Sequence, residues 1–328
     1  MLIMPFAPYL LFLVFITFTM MNYTNNNDRL REAKSTSAIR EGYISVLDGN
    51  VWYRIVGASR KKIPLLILHG GPGVPHDYLE SLELLSDERP IIFYDQLGCG
   101  NSDRPDDRSL WTIERFVEEL AQVRAALQLK RVHVLGHSWG VMLATDYMLT
   151  KTPSGVVSLI LSAPCLSAAR FIADQKKYLL EFPKVIQQIV EESEASGDFS
   201  SSEYQDAKVQ YDKLHTCRLD PWPECMTRAQ KKAGIPVYEH MRGYGVTING
   251  TLKNYERTDR LKELTTPALF TCGQYDKATP ESTTYYHSLV SESEIAVFED
   301  ASHVHHIEKP QHYLQVVRDF LQRVERLS

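Results

Sequence analysis

Charge is missing from the start of this chain: between Met1 and Asn27 there is no Asp, Glu, Lys or Arg. Inside that stretch YLLFLVFITFTMM (residues 9–21) is almost wholly apolar. With the residues ahead of it, the run is long enough for a signal peptide or one membrane span. Two marks of a secretory signal are also missing, a basic segment before the run and a small-residue cleavage site after it. Arg29, Arg31 and Lys34 follow closely. If the segment stays as an anchor, the positive-inside rule puts the following domain in the cytoplasm. The reading is targeting to the secretory pathway, or membrane association through residues 1–21. The alternative is a leader with no such role on a cytoplasmic protein.

Basic tracts are absent too, and 36 Lys and Arg against 41 Asp and Glu give a net charge of −5. That argues against nucleic acid as the main partner. Cysteine is scarce, with five residues, so any pairing scheme leaves one over. Cys217 and Cys225 bracket RLDPWPE closely enough to bridge in an oxidising compartment, and two reduced thiols are the alternative. Asn22 and Asn249 open glycosylation sequons, a pattern short enough to arise by chance. No internal repeat is present. The remainder is ordinary: 328 residues, 44% hydrophobic and 23% charged, which suits one large domain carrying an insertion.

From YISVLDG and VWYRIVG (43–57) the alternation predicts an opening antiparallel hairpin. Short apolar runs follow at 64–69, 90–95, 132–137, 156–162, 267–273 and 294–300. Uniformly apolar strands bounded by Gly or Pro suit a parallel sheet covered on both faces. Helical spacing lies between them, as at 113–127, so the fold class is α/β with crossover helices. Between Cys165 and about Arg260 this rhythm stops, and polar helical segments rich in Tyr and Lys suggest an insertion over the C-terminal edge of the sheet. The organisation expected is a segment and linker over 1–41, a core over 42–164 and 261–328, and a helical cap over 165–260. An amphipathic helix using Tyr313, Leu314, Val316, Val317, Phe320, Leu321 and Val324 closes the chain.

VHVLGHSWG places G-x-S-x-G (Gly136, Ser138, Gly140) directly after an apolar strand and before a helical stretch. This is the setting of a nucleophile elbow, a sharp strand-to-helix turn that presents Ser138 at a helix N-terminus. A serine hydroxyl needs a base, itself oriented by a carboxylate, and this architecture supplies them in the order Ser, Asp, His. Asp276 in FTCGQYDKATP and His303 in EIAVFEDASHV each follow a strand. A turn-capping role is the alternative for Asp276. The loop His69-Gly70-Gly71-Pro72-Gly73 follows another strand, and its N–H groups, with that of Trp139, can form an oxyanion hole. A phosphate cradle is the other use of such a loop, but neither G-x-x-x-x-G-K-[ST] nor G-x-G-x-x-G is present.

ASHVHHIEKP (301–310) crowds His303, His305 and His306 together and raises the question of zinc. Adjacent side chains such as those of His305 and His306 point apart on regular backbone, whereas zinc-enzyme helices space ligands at i and i+4. No metal and no cofactor are expected.

HGGPG (69–73), HDYL (76–79), YDQLGCGNS (94–102), GHSWG (136–140), GQYDKATP (273–280) and SHVHHIEKP (302–310) together resemble the proline iminopeptidases, serine peptidases of the α/β-hydrolase fold. The likeness runs from about Gly42 to the C-terminus. It implies Ser138, Asp276 and His303 as a catalytic triad, with Gly71 and Trp139 donating the oxyanion-hole N–H groups. The family's catalytic histidine occupies the S-H position, which makes His303 the base and leaves His305 and His306 as loop or cap-facing bystanders.

Three positions depart from the family pattern. Members that cleave an N-terminal residue hold its ammonium with carboxylates, one of them directly after the triad aspartate. Here that position is Lys277. A second lies in the stretch matching GYGVTINGT (243–251), which has no acidic residue, and Val141 replaces a glycine that often follows the elbow. Three readings follow. The first is an iminopeptidase-like exopeptidase with acidic residues recruited from elsewhere in the cap. The second is an amidase, esterase or lactonase acting on a neutral or acidic small molecule without free-amine recognition; across these two the partner expected is a small peptide, amide or ester substrate. The third is a non-catalytic hydrolase-fold binding protein.

Overall fold

A computed structural model describes residues 38–327, so the apolar run, Asn22 and the linker cations lie outside the described residues. Eight strands form one sheet in the order β1-β2-β4-β3-β5-β6-β7-β8. They are β1 (Ile39–Val46), β2 (Gly49–Val56), β3 (Leu65–Leu68), β4 (Ile91–Tyr94), β5 (Val132–His137), β6 (Val156–Ser162), β7 (Ala268–Gly273) and β8 (Ser293–Phe298). β1 and β2 form the antiparallel hairpin, β2 meets β4 antiparallel, and every later pairing is parallel. Every strand expected from the sequence is present. The hairpin begins earlier than the expected boundary at Gly42, because Ile39 already pairs with Val56.

The apolar runs are continuous because both faces of the sheet are buried. Leu66 and Leu68 pack on one face with Phe116 and Leu120 of α1 (Ile113–Ala126) and Val141 of α2 (Trp139–Lys151). Leu65 and Ile67 pack on the other with Leu79, Leu82, Val317 and Phe320. The last two belong to the C-terminal helix Pro310–Leu327, which buries all the residues expected of it except Val316, which is only partly buried. The sequence reading missed the 3₁₀ helix His76–Asp87, whose Leu79 and Leu82 complete that second layer.

Five α-helices separate β6 from β7: α3 (Ala168–Leu179), α4 (Lys184–Ser196), α5 (Ser202–His215), α6 (Glu224–Lys231) and α7 (Ile235–Met241). α3 ends at Leu179, and Pro183 stands at the start of α4, where its missing N–H is not needed. α3, α4 and α5 share a small core of their own around Phe182, Val190, Tyr204 and Tyr211. Polar contacts join the insertion to the sheet layers. Arg257 donates to Asp146 Oδ1 at 2.7 and 3.0 Å, and Arg228 Nε donates to Asp77 Oδ1 at 2.8 Å. All five cysteines are free thiols, including Cys217 and Cys225. Among the described residues no helix is long and apolar enough to cross a membrane.

The elbow shows why its glycines are needed. A Cβ on Gly136 would lie 2.3 Å from Gly140 O, and one on Gly140 would lie 2.2 Å from Leu68 O. α2 is therefore seated against β3 with no room for a methyl group. Val141, by contrast, is fully buried in the apolar core, so its departure from the family pattern is absorbed by packing. Gly140→Ala is expected to lower stability by about 2 kcal/mol or more, the cost of overpacking a closed contact. Urea unfolding measures it, and unchanged stability would contradict this seating of α2.

Candidate active site

In an open parallel sheet, side chains that follow the strands gather along one carboxyl edge. Here His69 follows β3, Asp95 follows β4, Ser138 follows β5, Asp276 follows β7 and His303 follows β8. Ser138 has φ 56° and ψ −115°, a strained conformation for a residue with a side chain. Its N–H donates to Ser162 O at 2.9 Å, which ties the turn to the end of β6. Gly70, Gly71, Ser138, Trp139 and His303 all line one cavity of about 350 Å³, roofed by residues of the inserted helices.

Asp276 and His303 are both buried, and His303 Nδ1 lies 2.7 Å from Asp276 Oδ1. Asp276 Oδ1 also accepts the Ala278 N–H at 2.8 Å. Burial pushes the Asp276 carboxyl up to about 6. The same burial, followed by the charges of Lys277, His305 and Arg242, holds His303 well below 6.5. At neutral pH the pair therefore carries one negative charge beside a neutral imidazole. With Nδ1–H donating to the carboxylate, Nε2 is left as the basic nitrogen.

The two signatures HGGPG and YDQLGCG meet through Gln96. Its N–H donates to His69 Nε2 at 2.9 Å, its side-chain Nε2 donates to His69 O at 3.3 Å, and its Oε1 accepts Trp139 Nε1–H at 2.8 Å. His69 Nδ1–H in turn donates to Gly70 O at 3.0 Å. One side chain thus fixes the glycine loop relative to the residue after Ser138. Asp95 supports the same region by accepting from His76 Nδ1 at 2.7 Å and from the Asn101 N–H at 2.9 Å.

A second chain of hydrogen bonds runs beneath the cavity, through residues that sequence reasoning passed over. Gly70 N–H donates to Tyr78 Oη at 2.8 Å, Tyr78 O–H donates to His137 Nδ1 at 2.9 Å, and His137 Nε2–H donates to His303 O at 2.9 Å. Burial holds His137 well below 6.5, so it is neutral and its tautomer is set by these two partners. Tyr78 and His137 lie inside the quoted motifs HDYL and GHSWG, but nothing in their spacing shows that they touch.

The structure also corrects the expectation for His305 and His306. They are not loop or cap-facing; both are buried, 0% and 2% exposed, in the short helix His305–Glu308. Their rings diverge, as adjacent side chains must. His305 Nε2 meets Thr271 Oγ1 at 3.0 Å and Ser162 Oγ at 3.1 Å, and its Nδ1 lies 3.7 Å from Asp276 Oδ2. His306 Nε2 donates to Tyr78 O at 3.2 Å. Burial brings His305 down to about 4, so it is a neutral core side chain behind the Asp276–His303 pair.

A family described as "alpha/beta hydrolase fold" matches residues 63–310 of this chain. The chain is 46% identical over 288 residues to the proline iminopeptidase of Heyndrickxia coagulans, covering 87% of this chain and 99% of that protein. It is 38% identical to the proline iminopeptidase of Lactobacillus acidophilus, with 86% and 98% covered. The crystal structure of the Mycobacterium smegmatis proline iminopeptidase superimposes with a TM-score of 0.81 at 30% identity, covering 88% of this chain and 99% of that one. A strained serine between two glycines that admit no side chain, in a chain so closely similar to these enzymes, leads to one assignment: this chain belongs to the proline iminopeptidase family of α/β-hydrolase-fold serine hydrolases.

Proposed function

We propose that Ser138, His303 and Asp276 act as a catalytic triad, with the N–H groups of Gly71 and Trp139 as the oxyanion hole. The substrate is a small peptide, amide or ester. The observation that carries this reading is the 2.7 Å contact of His303 Nδ1 with buried Asp276, in a cavity that Ser138 also lines. His303 Nε2 takes the Ser138 proton as Oγ attacks the substrate carbonyl. The two N–H groups hold the tetrahedral oxyanion, and His303 returns the proton to the leaving group. Water then repeats the sequence, with His303 again as base, and releases the acyl group from Ser138. No step uses a metal or a cofactor. Residues 165–260 would serve as the cap that roofs this chemistry, over a core of 42–164 and 261–328.

Recognition of a free amine is the less favoured reading at the substrate level. The position after Asp276 presents the Lys277 ammonium to the cavity instead of a carboxylate. An acidic residue does reach the 243–251 stretch from α4, where Glu194 accepts from both the N–H and the hydroxyl of Thr247. Each of its oxygens thus accepts one hydrogen bond from Thr247, and Glu194 is not among the residues that line the cavity. An amidase or esterase reading without free-amine selection therefore fits the lining better.

Ser138→Ala and His303→Ala are each expected to lower kcat by roughly 10⁴-fold or more, because members of one catalytic unit fail together. His305→Ala should act differently, lowering stability by about 3 kcal/mol through loss of a buried side chain. Parallel assays of turnover and thermal unfolding separate the two outcomes. Near-normal hydrolysis by purified Ser138→Ala would overturn the nucleophile assignment.

The base must be neutral to work, so activity is present above the apparent value of the Asp276–His303 pair and lost as pH falls through it. Because His303 is held well below 6.5, kcat/KM should stay level from pH 7.5 down to 6.5. Lys277→Met removes one cause of that depression, and its acid limb should move to higher pH. A wild-type limb above 6.5 would contradict the electrostatics described here.

A further inference from the structure

Charge in the cavity above Ser138 is unbalanced. Among its lining residues Lys208, Arg242 and Lys277 are cationic, and Asp212 is the one carboxylate. Asp212 is already engaged at both oxygens. Oδ2 accepts from Lys208 Nζ at 2.5 Å, and Oδ1 accepts from Thr216 Oγ1 at 2.6 Å. Lys277 Nζ donates to the neutral Thr216 hydroxyl at 3.3 Å, which leaves two of its N–H groups for other partners. The Arg242 guanidinium donates to the backbone carbonyls of Gly243, Gly245 and Val246. Two cations thus border the cavity with neutral partners, and the walls beside them are apolar, including Met142, Phe171 and Leu252.

We propose that the cap side of this cavity is a carboxylate-binding subsite, so that the substrate is a small, largely apolar amide or ester bearing a carboxylate held by Lys277 and Arg242. The inference rests on the reading of Ser138 as nucleophile, since the same cavity must hold the scissile carbonyl. Charge-assisted hydrogen bonds from a guanidinium and an ammonium are the strong form of carboxylate recognition. An incoming carboxylate also relieves an existing strain of charge. Burial pushes Lys277 down to about 8, Asp212 partly offsets this, and Arg242 and Lys208 add to it. A substrate ammonium in the same place would meet two cations and a carboxylate already paired with Lys208. The carboxylate can sit on the acyl side or on the leaving-group side of the scissile bond, and the two placements call for different probes.

The test compares kcat/KM, relative to the uncatalysed rate of each ester, for two pairs made of a carboxylate and its methyl ester. On the acyl side the pair is 4-nitrophenyl hydrogen glutarate and its neutral methyl ester. On the leaving-group side it is 4-acetoxybenzoate and methyl 4-acetoxybenzoate. Wild type should prefer the anionic member at least tenfold in one pair, and that pair identifies the side. Lys277→Met and Arg242→Gln should each reduce the ratio by about tenfold, a change that partial misfolding cannot produce because both esters sample the same folded enzyme. Ratios near one in both pairs, or a strong preference for free prolyl-anilide over its N-acetyl form, would overturn the subsite. If a fluorophosphonate probe fails to label Ser138 in folded wild type, the catalytic reading beneath it fails instead.

Discussion

The hydrogen bond from His137 Nε2 to the carbonyl of His303, 2.9 Å long, joins the end of β5 to a loop 166 residues away in the chain. His137 immediately precedes Ser138, and its other nitrogen accepts from Tyr78, whose oxygen accepts the N–H of Gly70. One neutral imidazole therefore ties the serine turn, the glycine loop and the histidine loop into a single frame. Burial makes such a frame dependable, because a buried donor or acceptor left without its partner costs about 1–3 kcal/mol. His306 closes it from below by donating to Tyr78 O. The side chains facing the cavity can be poised for proton transfer because those behind them are fixed.

The same burial governs the electrostatics. Asp276 is raised and His303 lowered by removal from water, so the pair resists becoming doubly ionised. Lys277 and Arg242 act on His303 in the same direction as burial does. The cations proposed to hold the substrate thus also favour the unprotonated form of the proposed base. Both effects come from placing ammonium and guanidinium groups in a partly enclosed cavity, where water screens them weakly.

Kinship with the proline iminopeptidases extends through the sheet and the inserted helices, since the relatives match over 86–87% of the chain. The cavity's roof carries chemistry of a different kind from that shared fold. Elbow glycines, the Gln96 clamp and the Asp276–His303 contact form a scaffold for acyl transfer, and none of them specifies which amide or ester is bound. The groups that could specify it, Lys208, Asp212, Arg242 and Lys277, lie in the insertion or beside Asp276. On such a fold the function is set by the site and not by the scaffold.

Local patterns were enough to read the eight strands, the helix after the elbow and the closing helix, because each is encoded by hydrophobic periodicity over a few residues. The order Ser, Asp, His at strand ends was legible for the same reason: a parallel sheet delivers its strand ends to one edge whatever the loops do. His305 and His306 were misjudged because burial is a property of the whole fold, and only the packing against Phe298, Thr271 and Tyr78 puts them in the core. Glu194 could not be matched to Thr247, nor Lys277 to Thr216, since the first contact joins two parts of the insertion and the second joins the insertion to the loop after β7, placements no local spacing records. The sequence by itself determined the sheet and the elbow, and singled out the groups proposed to react, through periodicity and backbone sterics. Tertiary structure alone decided which charges share the cavity, because desolvation and Coulomb interaction depend on distance in space, not along the chain.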